Sequence, residues 1–365
     1  MEKNTHPSNH GSLVPRLVAW ELTRSCNLFC AHCRASAGNI SYPDELTTTE
    51  CFSLIDQIAE ISSPILILTG GEPLLRSDLY DIGSYAVRKG LRVVVGTNGT
   101  LVTPDVAKRL AAVPVSRISV SLDFPLPAAQ DAFRGTPNAF RDAVAGVKNA
   151  RAAGLEVQIN STVTRQNVEY LPALVELALE LGAVAFHPFM LVPTGRGKRL
   201  AADELSPDDY EATLRWICQE QERLEGRLVL KPTDAPHYHR IARQCGMVLS
   251  PGHGTHDMNA ATRGCLAGTG FCFISHTGRV QGCGYLDLEA GYVRRESFAS
   301  IWHNSTLFNE LRDLSQLKGK CGICEYKRLC GGCRARAYES TGDHLAAEPY
   351  CTHEPKSPIT AGHSS

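Results

Sequence analysis

No run of eighteen or more apolar residues occurs in the chain, so nothing in it has the length of a membrane-spanning helix. Residues Met1 to Pro15 are polar and lack the apolar core of a secretory leader, which makes the cytoplasm the expected location. Net charge is scarce too: 37 Lys and Arg face 38 Asp and Glu, leaving −1. That balance supplies no bulk field for nucleic acid or an anionic membrane, and neither is an expected partner. Solenoid-length repeats and low-complexity tracts are missing, while 43% apolar content is enough to bury a large core. What the chain has in excess is cysteine, fourteen in all. A reducing compartment keeps thiols free, so metal binding accounts for them better than disulfides. Three lie within 26–33, eight lie from Cys265 onward, and Cys51, Cys218 and Cys245 fall between.

Between Leu17 and about Leu224, short apolar runs alternate with helical stretches six times. The expected strands are Leu17–Leu22, Ile65–Thr69, Arg92–Thr97, Arg117–Leu122, Glu156–Val163 and Val184–Phe189. Thr47 with Glu50 forms a capping box, and Gly90 and Gly154 stand where helices should end. Strands joined by helices imply a parallel sheet, and six units fit a curved, partial (β/α)6 barrel in the α/β class. In such sheets the chemistry sits beyond the carboxyl ends of the strands, where the chain places its polar turns. The expected division is a tail over 1–16, the barrel over 17–225, a connector over 226–262, a Cys-rich module over 263–355 and a second tail over 356–365. Within the module, Phe271–Ser275 and Arg279–Gly282 read as a hairpin. His237, His239, His253 and His256 read as surface-loop residues, and Cys51 and Cys218 as buried thiols.

Cys26, Cys30 and Cys33 follow the first strand at intervals of four and three. Three thiolates are one too few for a closed 4Fe–4S cluster, so one iron would stay open for a small molecule. A zinc site is the bland alternative, but zinc usually takes four closed ligands. The trio, together with Gly70-Gly71-Glu72 after the second strand, resembles the radical S-adenosylmethionine (SAM) superfamily. The resemblance implies that SAM chelates the open iron and is cleaved to methionine and a 5′-deoxyadenosyl radical. It also implies an acceptor for the SAM ammonium at Glu72, close backbone approach at Gly70 and Gly71, nucleoside packing at His32, and ribose or carboxylate contacts at Ser121, Asp123, Asn160 and Thr162. Phe189–Leu191 would flank the adenine.

Cys265, Cys272, Cys283, Cys321, Cys324, Cys330, Cys333 and Cys351 resemble the SPASM extension of these enzymes, with Cys330-x2-Cys333 one residue shorter than the common spacing. Family topology would put Cys265, Cys272, Cys283 and Cys333 on one auxiliary 4Fe–4S cluster and Cys321, Cys324, Cys330 and Cys351 on another. A single structural zinc at 321–333 is the alternative there. The stretches Gly264–Ser275, Gly282–Leu286, Leu317–Lys327 and Cys330–Tyr338 look like the haem synthases of the alternative, sirohaem-derived pathway. That likeness implies oxidative decarboxylation of two propionates of iron-coproporphyrin III to vinyl groups, fed by a low-potential donor such as a flavodoxin or ferredoxin. An anionic porphyrin needs cationic partners, for which Arg134, Arg165, Arg196 and Arg199 are the candidates, with Arg334 and Arg336 in the module. Other readings are a different tetrapyrrole side-chain enzyme, a peptide maturase, or a non-catalytic iron–sulfur electron carrier.

Overall fold

The computed structural model describes residues 13–247 and 263–356. It opens with β1 (Leu17–Thr23), α1 (Thr48–Ile61), β2 (Ile65–Gly70), α2 (Leu79–Arg88), β3 (Arg92–Thr97), α3 (Pro104–Ala112) and β4 (Arg117–Ser121). Helices α4 (Pro127–Arg134) and α5 (Ala139–Ala152), β5 (Val157–Val163), α6 (Leu171–Glu180), β6 (Ala185–Met190) and α7 (Pro207–Arg223) follow. Then come β7 (Val229–Leu230), α8 (His237–Gln244), β8 (Phe271–Ile274), β9 (Arg279–Gln281) and β10 (Glu289–Tyr292). Helices α9 (Phe298–Asn304), α10 (Thr306–Arg312), α11 (Gly319–Ile323) and α12 (Arg334–Thr341) complete the order.

The strands of the described residues belong to one sheet, ordered β10-β9-β8-β1-β2-β3-β4-β5-β6-β7. β1 to β7 run parallel, as helical crossovers require. The six expected strands are present within a residue or so at each end, and Thr47 caps α1 with Glu50 closing the box. Two features extend the sheet. β7, only two residues long and inside the expected connector, pairs with β6, and β8 pairs parallel with β1. The Cys-rich module therefore continues the barrel sheet across the free edge of β1. An unpaired edge carries unsatisfied backbone groups, and the hairpin satisfies them.

Alternation along the strands sorts the faces. Val18, Trp20, Leu66, Leu68, Val93, Val95, Ile118, Val120, Val157 and Ile159 pack outward against the helices as the main core. The opposite face carries Thr69, Gly96, Ser119, Ser121, Asn160 and Thr162, small or polar residues that leave space in place of a packed apolar centre. Of the expected tails, residues 1–12 and 357–365 lie outside the described residues, but 13–16 are tied down. Trp302 Nε1 donates to Leu13 O at 2.7 Å and Ser62 Oγ to Pro15 O at 2.7 Å.

Candidate active site

The polar inner face opens into a cavity of about 230 Å³ at the carboxyl ends of the strands. Cys26, Cys30 and Cys33 stand at one end of it. Their loop is held by its backbone: Cys26 N donates to Gly38 O at 2.9 Å, Ala31 N to Phe133 O at 2.9 Å and Arg196 N to Cys33 O at 3.0 Å. The sulfurs already meet donors, Leu28 N at 3.4 Å from Cys26 Sγ and Ala37 N at 3.3 Å from Cys33 Sγ. Burial pushes the Cys26 thiol up to about 12, and it raises Cys30 as well although Arg134 opposes it. Thiols in that state lose their protons only when iron binds, which couples cluster assembly to proton release.

Gly70 and Gly71 are where the second strand crosses behind this loop. A Cβ on Gly70 would sit 2.3 Å from Thr23 O, and one on Gly71 2.4 Å from Ser25 O, so no side chain fits. Both glycines line the cavity. Glu72 does not, contrary to the role expected for it. Its carboxylate is fully buried and accepts from Leu74 N at 3.1 Å, Thr97 Oγ1 at 2.8 Å and Asn98 N at 2.8 Å. Burial raises it to about 7, and its donors only partly offset this. Glu72 ties the end of β2 to the end of β3 and so sets Thr97 and Asn98 on the cavity wall.

Ser121, Asn160 and Thr162 face the cavity, as do Phe189, Met190 and Leu191. His32 faces it as well, stacked on Phe133 with centroids 4.4 Å apart. Asp123 is withdrawn: fully buried, it pairs with Arg134 and accepts from Thr162 N at 2.8 Å, so it fixes the wall from behind. Among the expected substrate arginines, Arg134 and Arg196 line the cavity, whereas Arg165 and Arg199 are exposed outside it. Arg165 lies beyond the end of β5, where it donates to Glu204 O at 3.3 Å. Arg134 reaches Cys30 Sγ at 3.8 Å, and Arg196 grips Cys30 O at 2.9 Å and Ala37 O at 2.6 Å. Arg334 and Arg336 are buried in the module, Arg334 against Cys321 Sγ at 3.8 Å and Arg336 against Leu191 O at 3.1 Å.

Sequence reasoning missed Arg34 and Tyr285 on the wall. Arg34 pairs with Glu21 at 2.5 Å, lies over the Phe273 ring at 4.4 Å and donates to Gly284 O at 3.4 Å. Burial alone would raise Glu21, but Arg34, His276 and Arg24 outweigh it and bring the carboxyl down to about 2. A lone carboxylate inside the apolar run Leu17–Thr23 was the available signal.

The C-terminal cysteines fall into two groups. Cys321, Cys324, Cys330 and Cys351 line a second, small pocket, together with His237 and Arg240. Cys265, Cys283 and Cys333 form the other group, within electrostatic reach of one another. Cys272 does not join it. It is paired with Val18 across β8 and β1, on the face opposite Phe273, and is fully buried in the helix-side core. The expected set of four for that cluster is corrected to three. All fourteen cysteines are free. Among the described residues the one trio of ligand atoms within 4.8 Å of one another is Cys324, Glu325 and His353, so none of the cysteine groups closes around a single zinc. Backbone N–H groups reach the sulfurs of Cys324, Cys330 and Cys321 at 3.4 Å and that of Cys333 at 3.5 Å, donors that suit iron–sulfur clusters. His237 is buried at the start of α8 and not on a surface loop; His253 and His256 lie outside the described residues. Cys51 and Cys218 are buried, and Cys245 is exposed.

Residues 20–178 match the family model of the radical SAM superfamily, and residues 265–334 match that of the SPASM iron–sulfur cluster-binding domain. The chain is 51% identical to the AdoMet-dependent heme synthase of Methanosarcina barkeri, covering 94% of this chain and 97% of that one. The chain belongs to the radical SAM superfamily. It is also 48% identical to the AdoMet-dependent heme synthase of Nitratidesulfovibrio vulgaris, over 96% and 98% of the two chains. Streptococcus suis SuiB, solved with S-adenosylmethionine bound, shares the fold at a TM-score of 0.75 and 15% identity, covering 93% of this chain and 78% of that one. This radical SAM enzyme thus uses SAM, a SAM-binding 4Fe–4S cluster and auxiliary iron–sulfur clusters.

Proposed function

We propose that this radical SAM enzyme decarboxylates two propionate side chains of iron-coproporphyrin III to vinyl groups and so makes haem b. The observation that carries the reading is the near-complete, roughly half-identical match to two AdoMet-dependent heme synthases. Cys26, Cys30 and Cys33 would hold the cluster, which when bound would supply the one-electron chemistry that cleaves SAM. Gly70 and Gly71, whose backbone lies open to the cavity, take the place first given to Glu72 beside the SAM ammonium. His32, Ser121, Asn160 and Thr162 orient the nucleoside.

On the substrate, each propionate loses a hydrogen atom from its β-carbon, then carbon dioxide and one electron, leaving a vinyl group. Two rounds use two SAM molecules. Arg34 and Arg134 are neutralised by Glu21 and Asp123, but Arg196 contacts only uncharged groups and keeps a buried Nη2 without a partner. That N–H and its net charge suit a carboxylate of the porphyrin. Tyr285, two residues after Cys283, lines the cavity, so the Cys265/Cys283/Cys333 site lies where the departing electron could be taken up. A flavodoxin or ferredoxin supplies the first electron, and the free cysteines fit a cytoplasmic site. Anaerobic incubation of the reduced protein with SAM and iron-coproporphyrin III is the test. Haem b seen by absorption and mass supports the reading; SAM cleavage with unchanged porphyrin and a modified peptide overturns it.

A further inference from the structure

The group Cys265, Cys283 and Cys333 is one ligand short of a closed 4Fe–4S cluster, and Cys272 faces the other side of the sheet. The chain brings one more residue there. Thr233 adds to the end of β6, with Met190 N donating to Thr233 O at 3.0 Å and Thr233 N to Pro188 O at 2.8 Å. The next residue, Asp234, turns into the left-handed region at φ 57, an uncommon conformation for a residue with a side chain. Its carbonyl is clamped in this turn by Tyr210 Oη at 3.1 Å and Arg336 Nη1 at 3.3 Å. Arg336 stands one turn beyond Cys333, whose sulfur accepts from the Arg336 N–H at 3.5 Å. Asp234 is thus tied through one residue to a thiol of the incomplete group.

The clamp uses the carbonyl and leaves the carboxylate free. Asp234 Oδ2 is buried with no hydrogen-bond partner. Its side chain lies within electrostatic reach of Cys283, Cys333 and Tyr285. A buried, unpartnered carboxylate oxygen within electrostatic reach of two thiols and a phenol is costly unless a cation completes the site.

We propose that Asp234 is the fourth protein ligand of the auxiliary cluster held by Cys265, Cys283 and Cys333. The inference rests on the reading that two auxiliary clusters are present. Ligation forms one iron–oxygen bond from the carboxylate and moves no electrons. It leaves this cluster with a single hard, exchangeable oxygen ligand beside Tyr285 and the radical cavity.

The test uses the full chain with Cys26, Cys30 and Cys33 replaced by Ala, so that only auxiliary clusters report. After anaerobic reconstitution it should hold about eight irons per chain. Cys272→Ala should keep them with an unchanged electron paramagnetic resonance spectrum after reduction. Asp234→Asn, whose side chain tolerates the left-handed turn, should alter the signal of one cluster or lower the count toward about four irons. Asp234→Cys should restore the count with an all-thiolate spectrum. Loss of about four irons in Cys272→Ala, or an Asp234→Asn protein identical to its parent in iron and spectrum, overturns the assignment. A parent with about four irons that is insensitive to Cys283→Ala shows that no cluster forms here, and the two-cluster reading falls together with the ligand.

Discussion

At the scale of single residues, charge in the cavity is organised in pairs. Glu21 of β1 pairs with Arg34 of the cysteine loop, and removing one partner leaves the other uncompensated. Glu21→Gln should destabilise the protein by about 3–5 kcal/mol, seen as a fall in the urea midpoint, and the double variant Glu21→Gln/Arg34→Met should recover most of it. Because the Glu21 carboxyl is held at about 2, below its ordinary value, its stabilising contribution is present above the unfolded-chain value near 4.5 and fades as pH falls toward 2. The Glu21→Gln protein should therefore show a flatter acid limb between those limits. Glu72 and Gly71 separate two roles that the motif alone runs together. Glu72→Gln turns an amide donor toward the Asn98 N–H and should cost about 1–3 kcal/mol, yet 5′-deoxyadenosine should still form after dithionite reduction. Gly71→Ala drives a methyl into Ser25 O and Arg24 O, and should abolish cluster assembly at the trio, read as about four irons lost per chain.

At the scale of elements, α12 fastens the C-terminal region to the barrel. Arg336 from this helix is 1% exposed, donates to Leu191 O and Asp234 O, and pairs with Glu348 at 3.5 Å. Arg336→Ala should cost about 3–5 kcal/mol, and auxiliary iron should be lost at lower urea than the barrel's helical signal. The six strands were legible because each is an apolar run bounded by turn residues and separated by helical spacing. β7 was not, since Val229–Leu230 is too short for any period to register. The attachment of β8 to β1 is a long-range pairing with no local signal, although the hairpin itself was readable from Phe271–Ile274 and Arg279–Gln281 around its turn. Cysteine spacing located every cysteine of the three groups but could not tell that Cys272 faces away. Facing depends on strand register, which is set by the partner strand and not by the motif. For the same reason Arg165 and Arg199 could be placed near the rim but not kept out of the cavity.

At the scale of the whole molecule, one sheet carries the cysteine trio on the loop after β1, while Cys265 and Cys283 flank the hairpin added beside that strand and Cys333 caps α12. Phe273 and Gly284 of the hairpin region touch Arg34 of the cysteine loop, so the two sites share a wall. That arrangement suits a reaction in which a substrate between them gives up first a hydrogen atom and then an electron. Of this, the cysteine trio and the glycine pair were readable from Cys26 to Gly71, whereas the contact of the hairpin region with the cysteine loop needed the fold. The most direct test is the fate of the abstracted hydrogen. With iron-coproporphyrin III deuterated at the propionate β-carbons, the account predicts deuterium in 5′-deoxyadenosine and two SAM consumed per haem b formed. Unlabelled 5′-deoxyadenosine, or a porphyrin that keeps both propionates, would contradict it.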